Sequence, residues 1–258
     1  MSDVFSAQTR LAIAIDFGTA NCSASWTYYR PESSACLLKD DFDIKGIHNV
    51  FFHGQTDRYM KTEFAWSQSL QKWILGNRID SQIGKRNLRE EDRITHVKLA
   101  LDPCKHTEKI RNRIQDQVDA LPAEAGIMSI DALVVKFLSL FYAEITTKLA
   151  DHISLDKLQV ETVIAIPAAW DLSLAHKMKM LAEKAGFRNV RPPVYEPDAA
   201  ALYSRFDRSR LFDHAPASLA DCEASFIIVD VGGGTAVGFW TQIYHTLAYI
   251  IECGNIYD

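Results

Sequence analysis

The first clear pattern along the chain is a short apolar run, Leu11–Asp16 (LAIAID), which reads as a buried strand. Gly18–Asn21 follows as a turn, and Cys22–Tyr29 returns as a second strand. Pro31–Glu63 mixes apolar pieces such as Val50-Phe51-Phe52 with polar breaks, and its strands are not defined by pattern. Phe64–Lys98 carries patches centred on tryptophan or leucine. It also holds the charged run Lys85–Arg93 (KRNLREEDR), whose interleaved signs read as a solvated loop or helix face rather than a basic binding patch.

The second half is more regular. Ser129–His152 predicts a helix, with Ser129 as cap and Ile130, Val134, Phe137, Leu138, Phe141, Ile145 and Leu149 on one stripe. Val160–Ile166 (VETVIAI) is a β-branched strand that stops at Pro167. Ser173–Ala185 is a helix, ended by Gly186 just past its C-terminus. Arg191–Tyr195 is a short extended piece. Pro197 suits the first turn of a helix over Asp198–Phe206. Ser209–Ala224 is a polar linker and the best boundary candidate. Phe226–Val231, Val237–Tyr244 and Leu247–Glu252 read as three consecutive strands.

Composition narrows the classes. The 258 residues are 48% hydrophobic and 24% charged, as in ordinary globular proteins. A net charge of −5 gives no general pull toward nucleic acid or an anionic membrane, so neither is expected as a partner. Five widely spaced cysteines, with no C-x-x-C pair, fit a reduced set rather than a disulfide frame or zinc site. No secretory leader is expected from MSDVFSAQTR, and no apolar run approaches bilayer length. The expected location is the cytoplasm or nucleus.

Two phrases echo each other, IDFGTAN at Ile15–Asn21 and VDVGGGT at Val229–Thr235. In each, a strand delivers an aspartate into a glycine-bearing turn. Glycines let the backbone approach a phosphate, and their amides donate to its oxygens. Thr19 and Thr235 add hydroxyls. An aspartate belongs beside phosphate only with a divalent cation between them, and Mg2+ is typically held through its water. Two such turns facing each other would grip a polyphosphate. Taken singly, each turn can also be read as a plain hairpin turn, IDFGTAN more readily than VDVGGGT. There is no G-x-x-x-x-G-K-[ST] motif, and Gly232, Gly234 and Val237 miss the dinucleotide G-x-G-x-x-G spacing.

Together these segments resemble the seventy-kilodalton heat-shock chaperone family (heat shock protein 70), a divergent member within the actin, sugar-kinase and heat-shock ATPase superfamily. IAIDFGTAN is similar to that family's first phosphate motif. VIAIPAAWDLSLAHKMKMLAEKAGF followed by VYEPDAAAL is similar to its connecting segment, and FIIVDVGGGT to its second phosphate motif. The resemblance covers Leu11–Tyr29 and Val160–Trp240. It implies an α/β, actin-like ATPase (ribonuclease H-like) fold. Residues 11–208 would form a complete lobe I, and residues 225–258 the first strands of lobe II. The family pattern would continue past Asp258, through the adenosine-binding half of lobe II and a peptide-binding domain.

By that resemblance, Asp16, Glu196 and Asp230 would surround Mg2+ and the attacking water, as metal-site and catalytic residues. Gly18, Thr19, Ala20, Asn21, Gly232, Gly233, Gly234 and Thr235 would cradle ATP or ADP. Pro167 would act as a hinge. The departures are Ala20 for a second threonine, Val237 for an acidic residue, and Ala175 near the place of a relaying arginine. The family's catalytic lysine has no recognisable position, with Lys61 and Lys72 lying near the expected region. The implied function is ATP binding by a chaperone-like protein with weak or absent hydrolysis, whose partners would be chaperone clients or co-chaperones. The alternatives are a non-enzymatic interaction module (a pseudo-ATPase) and a metabolite kinase of the same superfamily.

Overall fold

The computed structural model describes residues 9–29, 46–52, 57–206, 225–231, 236–242 and 249–253, and for the last three stretches the backbone alone. The class is mixed α/β. In order, the strands are β1 (Arg10–Phe17), β2 (Asn21–Tyr29), β3 (His48–Asn49), β4 (Tyr59–Lys61), β5 (Glu63–Ser67), β6 (Lys72–Leu75), β7 (Ile94–Thr95), β8 (Gln159–Ile166), β9 (Val194–Tyr195), β10 (Ser225–Val231), β11 (Ala236–Gln242) and β12 (Tyr249–Cys253). The helices are α1 (Arg78–Gly84), α2 (Glu108–Asp119), α3 (Ile130–Ala150), α4 (Leu172–Lys184) and α5 (Glu196–Phe206).

The central sheet runs β3-β2-β1-β8-β9, with β4 also paired to β2. β1 and β2 are antiparallel, whereas β1, β8 and β9 are parallel neighbours. A parallel pair needs a long crossover, and everything from β2 to α3 lies in the one between β1 and β8. Within it, β5, β6 and β7 make a separate small sheet. β10, β11 and β12 form a third, antiparallel sheet, in agreement with the three strands expected there.

LAIAID was expected to be buried, yet β1 is buried on one face only. Leu11, Ile13, Ile15 and Phe17 are enclosed, while Ala14 and Asp16 are exposed. The sequence alternates large and small apolar residues, and the alanines carry too little surface to require cover. The enclosed face packs on α3. Phe137 lies at the junction, with ring centroids 5.5 Å from Phe17 and 5.4 Å from Phe64. One phenylalanine thus ties the end of β1 to the small sheet. Each such fully buried ring contributes about 1.5–3 kcal/mol.

The helix ends follow local chemistry. Ser129 accepts from the Ala132 amide and Asp171 from the Leu174 amide, caps worth about 1 kcal/mol each. Gly186, at φ +93°, closes α4. Its amide reaches the Glu183 carbonyl and the Phe187 amide reaches that of Ala182. This double bond pattern needs a left-handed residue, hence glycine. Phe187 then stacks on Tyr142 of α3 at 4.3 Å.

Two other expectations shift. α5 begins at Glu196, two residues earlier than Asp198, so Glu196 lies in the first helical turn. The run Lys85–Arg93 is only partly solvated. Leu88 is buried, and Arg93 pairs with Glu63, Asp80 and Glu90. Interleaved charges hid these inward contacts.

Candidate functional site

Asp16 stands near the C-terminal end of β1, opposite Ala165 of β8. Ile166 of β8 lies opposite Tyr195 of β9, so Pro167 follows the end of one strand and Glu196 the end of the next. Parallel strands end at the same edge of their sheet. Asp16, Pro167 and Glu196 therefore collect there, the edge at which open α/β sheets generally place ligands. These three predicted positions, sixteenth, one-hundred-and-sixty-seventh and one-hundred-and-ninety-sixth along the chain, are brought together by strand order alone.

The first turn lies on this edge. Gly18 is there because of space. A Cβ on it would sit 2.2 Å from the Asn21 carbonyl oxygen, a backbone atom that cannot move aside. Gly18→Ala should therefore lower stability by about 2 kcal/mol as the turn is forced open. Gly84, at the end of α1, has nothing within 4 Å of an added Cβ, so Gly84→Ala should be neutral or slightly stabilising. Thermal melts of both variants check this, and equal melting temperatures would contradict it. Thr19 is half-buried, and Ala20 and Asn21 are exposed.

Sequence reading did not find the principal cation here. Lys98 lies in a 3-10 turn, Val97–Leu101, and its side chain is 5% exposed. Its Nζ is 2.6 Å from Glu196 Oε1 and stands 5.8 Å from the centroid of the Trp170 ring. Trp170 is itself held by its amide donating to the Pro167 carbonyl. Lys98 thus joins the β9 end to the segment that follows β8. The two lysines near the expected region are placed otherwise. Lys61 is exposed and pairs with Asp80 and Glu63, and Lys72 is exposed at the start of β6. The signal for Lys98 was a single lysine within the apolar stretch THVKLAL.

No protein-family model matches the chain, and no curated protein matches it.

The interior beside the first turn is tightly bonded. Cys22 is fully buried, with its Sγ 3.0 Å from Thr62 Oγ1. Burial, with a smaller push from the Asp16 carboxylate, raises its thiol to about 12, net of the opposing pull of the Lys98 ammonium. Asp16 and Lys98 are thus both felt at one buried atom. Among the described residues no three His, Cys, Asp or Glu side chains gather closely enough to ligate a metal directly. Asp230 stands on β10 opposite Val237, and its side chain lies outside the described residues, as do Gly232, Gly233, Gly234 and Thr235. No helix among the described residues is long and apolar enough to cross a membrane.

A second cluster lies at the opposite edge of the central sheet. Glu161 of β8 is buried and accepts from Arg191 at 2.6 and 2.7 Å, from Arg10, and from the Tyr29 hydroxyl. Hydrogen bonding by Arg191, then by Tyr29 and Arg10, lowers its carboxyl to about 2 against the opposing cost of burial. Strands β1, β2 and β8 and the segment before β9 are thus tied together at one buried carboxylate.

Proposed function

We propose that this chain is an ATP-binding module of the actin-like ATPase type, chaperone-like in kind and a weak ATPase or none. The observation that carries this reading is the meeting of Asp16, Pro167 and Glu196 at one edge of three parallel strands, with the buried Lys98 bonded to Glu196. A lysine so enclosed beside a glycine turn is suited to an anion, because burial strengthens its attraction for charge. The turn Gly18–Asn21 would receive phosphate oxygens through backbone amides and the Thr19 hydroxyl. Asp16 and Glu196 would hold the water shell of Mg2+, with Asp230 completing it from the second turn. Mg2+, when bound, supplies charge neutralisation at the phosphates. Glu196 would also orient the attacking water, and Lys98 would balance charge on the terminal phosphate.

The pairing of Lys98 with Glu196 bears on activity. Each neutralises the other, so a nucleotide must part them before Glu196 can serve a water molecule. That requirement and Ala20 support a second reading, a non-enzymatic interaction module that binds nucleotide or protein partners without turnover.

Asp230→Ala should weaken MgATP binding at least tenfold, and Val237→Ala less than threefold, since Val237 is a strand residue and no ligand. Calorimetric titration of the two variants, with folding checked by circular dichroism, is the test. Equal affinities would mean that VDVGGGT is a hairpin turn and nothing more.

A further inference from the structure

The first turn is held from behind by a residue outside any motif. Thr62, just past β4, is 2% exposed. Its amide donates to the Ala20 carbonyl at 2.8 Å, and its hydroxyl donates to the Gly18 carbonyl, also at 2.8 Å. A hydroxyl has one proton. With that proton committed to Gly18, the Thr62 oxygen can only accept from Cys22, whose sulfur is 3.0 Å away. The bonds therefore run in one direction, from the Cys22 S–H to the Thr62 oxygen and from the Thr62 O–H to the Gly18 carbonyl. The Cys22 thiol stays protonated through the physiological range, because burial holds its pKa at about 12.

The consequence lies in the next peptide unit. A trans peptide is planar, so the Thr19 amide points opposite to the Gly18 carbonyl. Drawing that carbonyl toward Thr62 turns the Thr19 N–H away from the interior. Carbonyl oxygens repel anions and amides attract them. The same two bonds occupy the carbonyls of Gly18 and Ala20, which therefore do not face an anion at the turn.

We propose that Thr62 is a positioning residue for the first turn, holding the Gly18 carbonyl inward through an ordered Cys22–Thr62 relay so that the Thr19 amide is presented to a phosphate. The proposal rests on the nucleotide reading of that turn. Two variants of the full chain test it. Thr62→Val keeps the shape and removes the hydroxyl, whereas Thr62→Ser keeps the hydroxyl. Two readouts separate the questions. Amide hydrogen exchange on the free chain should show the amide of residue 62, which is bonded to the Ala20 carbonyl, exchanging about tenfold faster in Thr62→Val and near the wild-type rate in Thr62→Ser. MgATP affinity should fall about tenfold in Thr62→Val and less than twofold in Thr62→Ser. Exchange and affinity both unchanged in Thr62→Val would overturn the relay. Wild-type chain that binds no MgATP would overturn the nucleotide reading, and with it the phosphate role of Thr62. Faster exchange in Thr62→Val without rescue by Thr62→Ser would mean a packing defect and would also overturn the relay.

Discussion

Glu196→Ala is expected to cost about 3 kcal/mol of stability, and Lys98→Met only about 1 kcal/mol. The two residues form one ion pair, yet their surroundings differ. The Lys98 side chain is 5% exposed and that of Glu196 is 24% exposed. Removing Glu196 leaves a buried ammonium without its 2.6 Å carboxylate partner, beside the Trp170 face. Removing Lys98 leaves a carboxylate at the surface, which water can solvate, and methionine fills the space of the lysine stem. Urea unfolding of both variants at neutral pH measures the difference. Equal losses would show that Lys98 reaches solvent by some route and is not the enclosed cation described above.

Acid should weaken this protein through Glu161. Its carboxyl stands at about 2 in the folded chain against an ordinary 4.5, because Arg191, Tyr29 and Arg10 all donate to the ionised form. A depressed carboxyl contributes stability that is complete above about pH 4.5 and is lost as pH falls toward 2. The shift corresponds to about 3 kcal/mol, of which about 2 kcal/mol is gone by pH 3. Glu161→Gln should therefore be about 3 kcal/mol less stable than wild type at pH 6, and the gap should narrow to about 1 kcal/mol at pH 3. Denaturant midpoints at the two pH values read this directly. A gap that stays constant would mean that packing, not charge, is what Glu161 contributes.

These two clusters mark what was and was not legible in the sequence. Strands β1, β2 and β8 and helices α3 and α4 were, because their causes are local, whereas α1 and α2 were not expected. α3 carries its cap and its stripe within one stretch, and α4 carries Asp171 at one end and Gly186 at the other. Glu161 was read only as part of the strand VETVIAI, because its partners Arg10, Tyr29 and Arg191 come from elsewhere in the chain. Asp16 and Glu196 were singled out by motif resemblance, and the strand order sets both at one edge of the sheet. Lys98 and Thr62 were not, because their meaning is a tertiary pairing. The bond from Lys98 to Glu196 spans 98 positions, and that from Thr62 to Gly18 spans 44. Periodicity cannot report such a distance. The small sheet β5-β6-β7 was missed for a related reason. Its strands are short, and its pairing of Glu63 with Thr95 closes over the charged run.

The distinction between the two edges of the central sheet organises the molecule. At one edge Glu161 is saturated by donors, which is how a buried acid is made permanent. At the other, Lys98 has three N–H donors and is bonded to the partly exposed Glu196 at the start of α5, a state suited to exchange of partners.

Calorimetric titration of the full chain with ATP, once with Mg2+ and once with EDTA in its place, tests the central claim most directly. The account predicts saturable, one-to-one binding in Mg2+ that weakens at least tenfold in EDTA, because the acidic groups Asp16 and Glu196 repel a bare triphosphate. No heat beyond dilution in either titration, from chain shown to be folded, would contradict it.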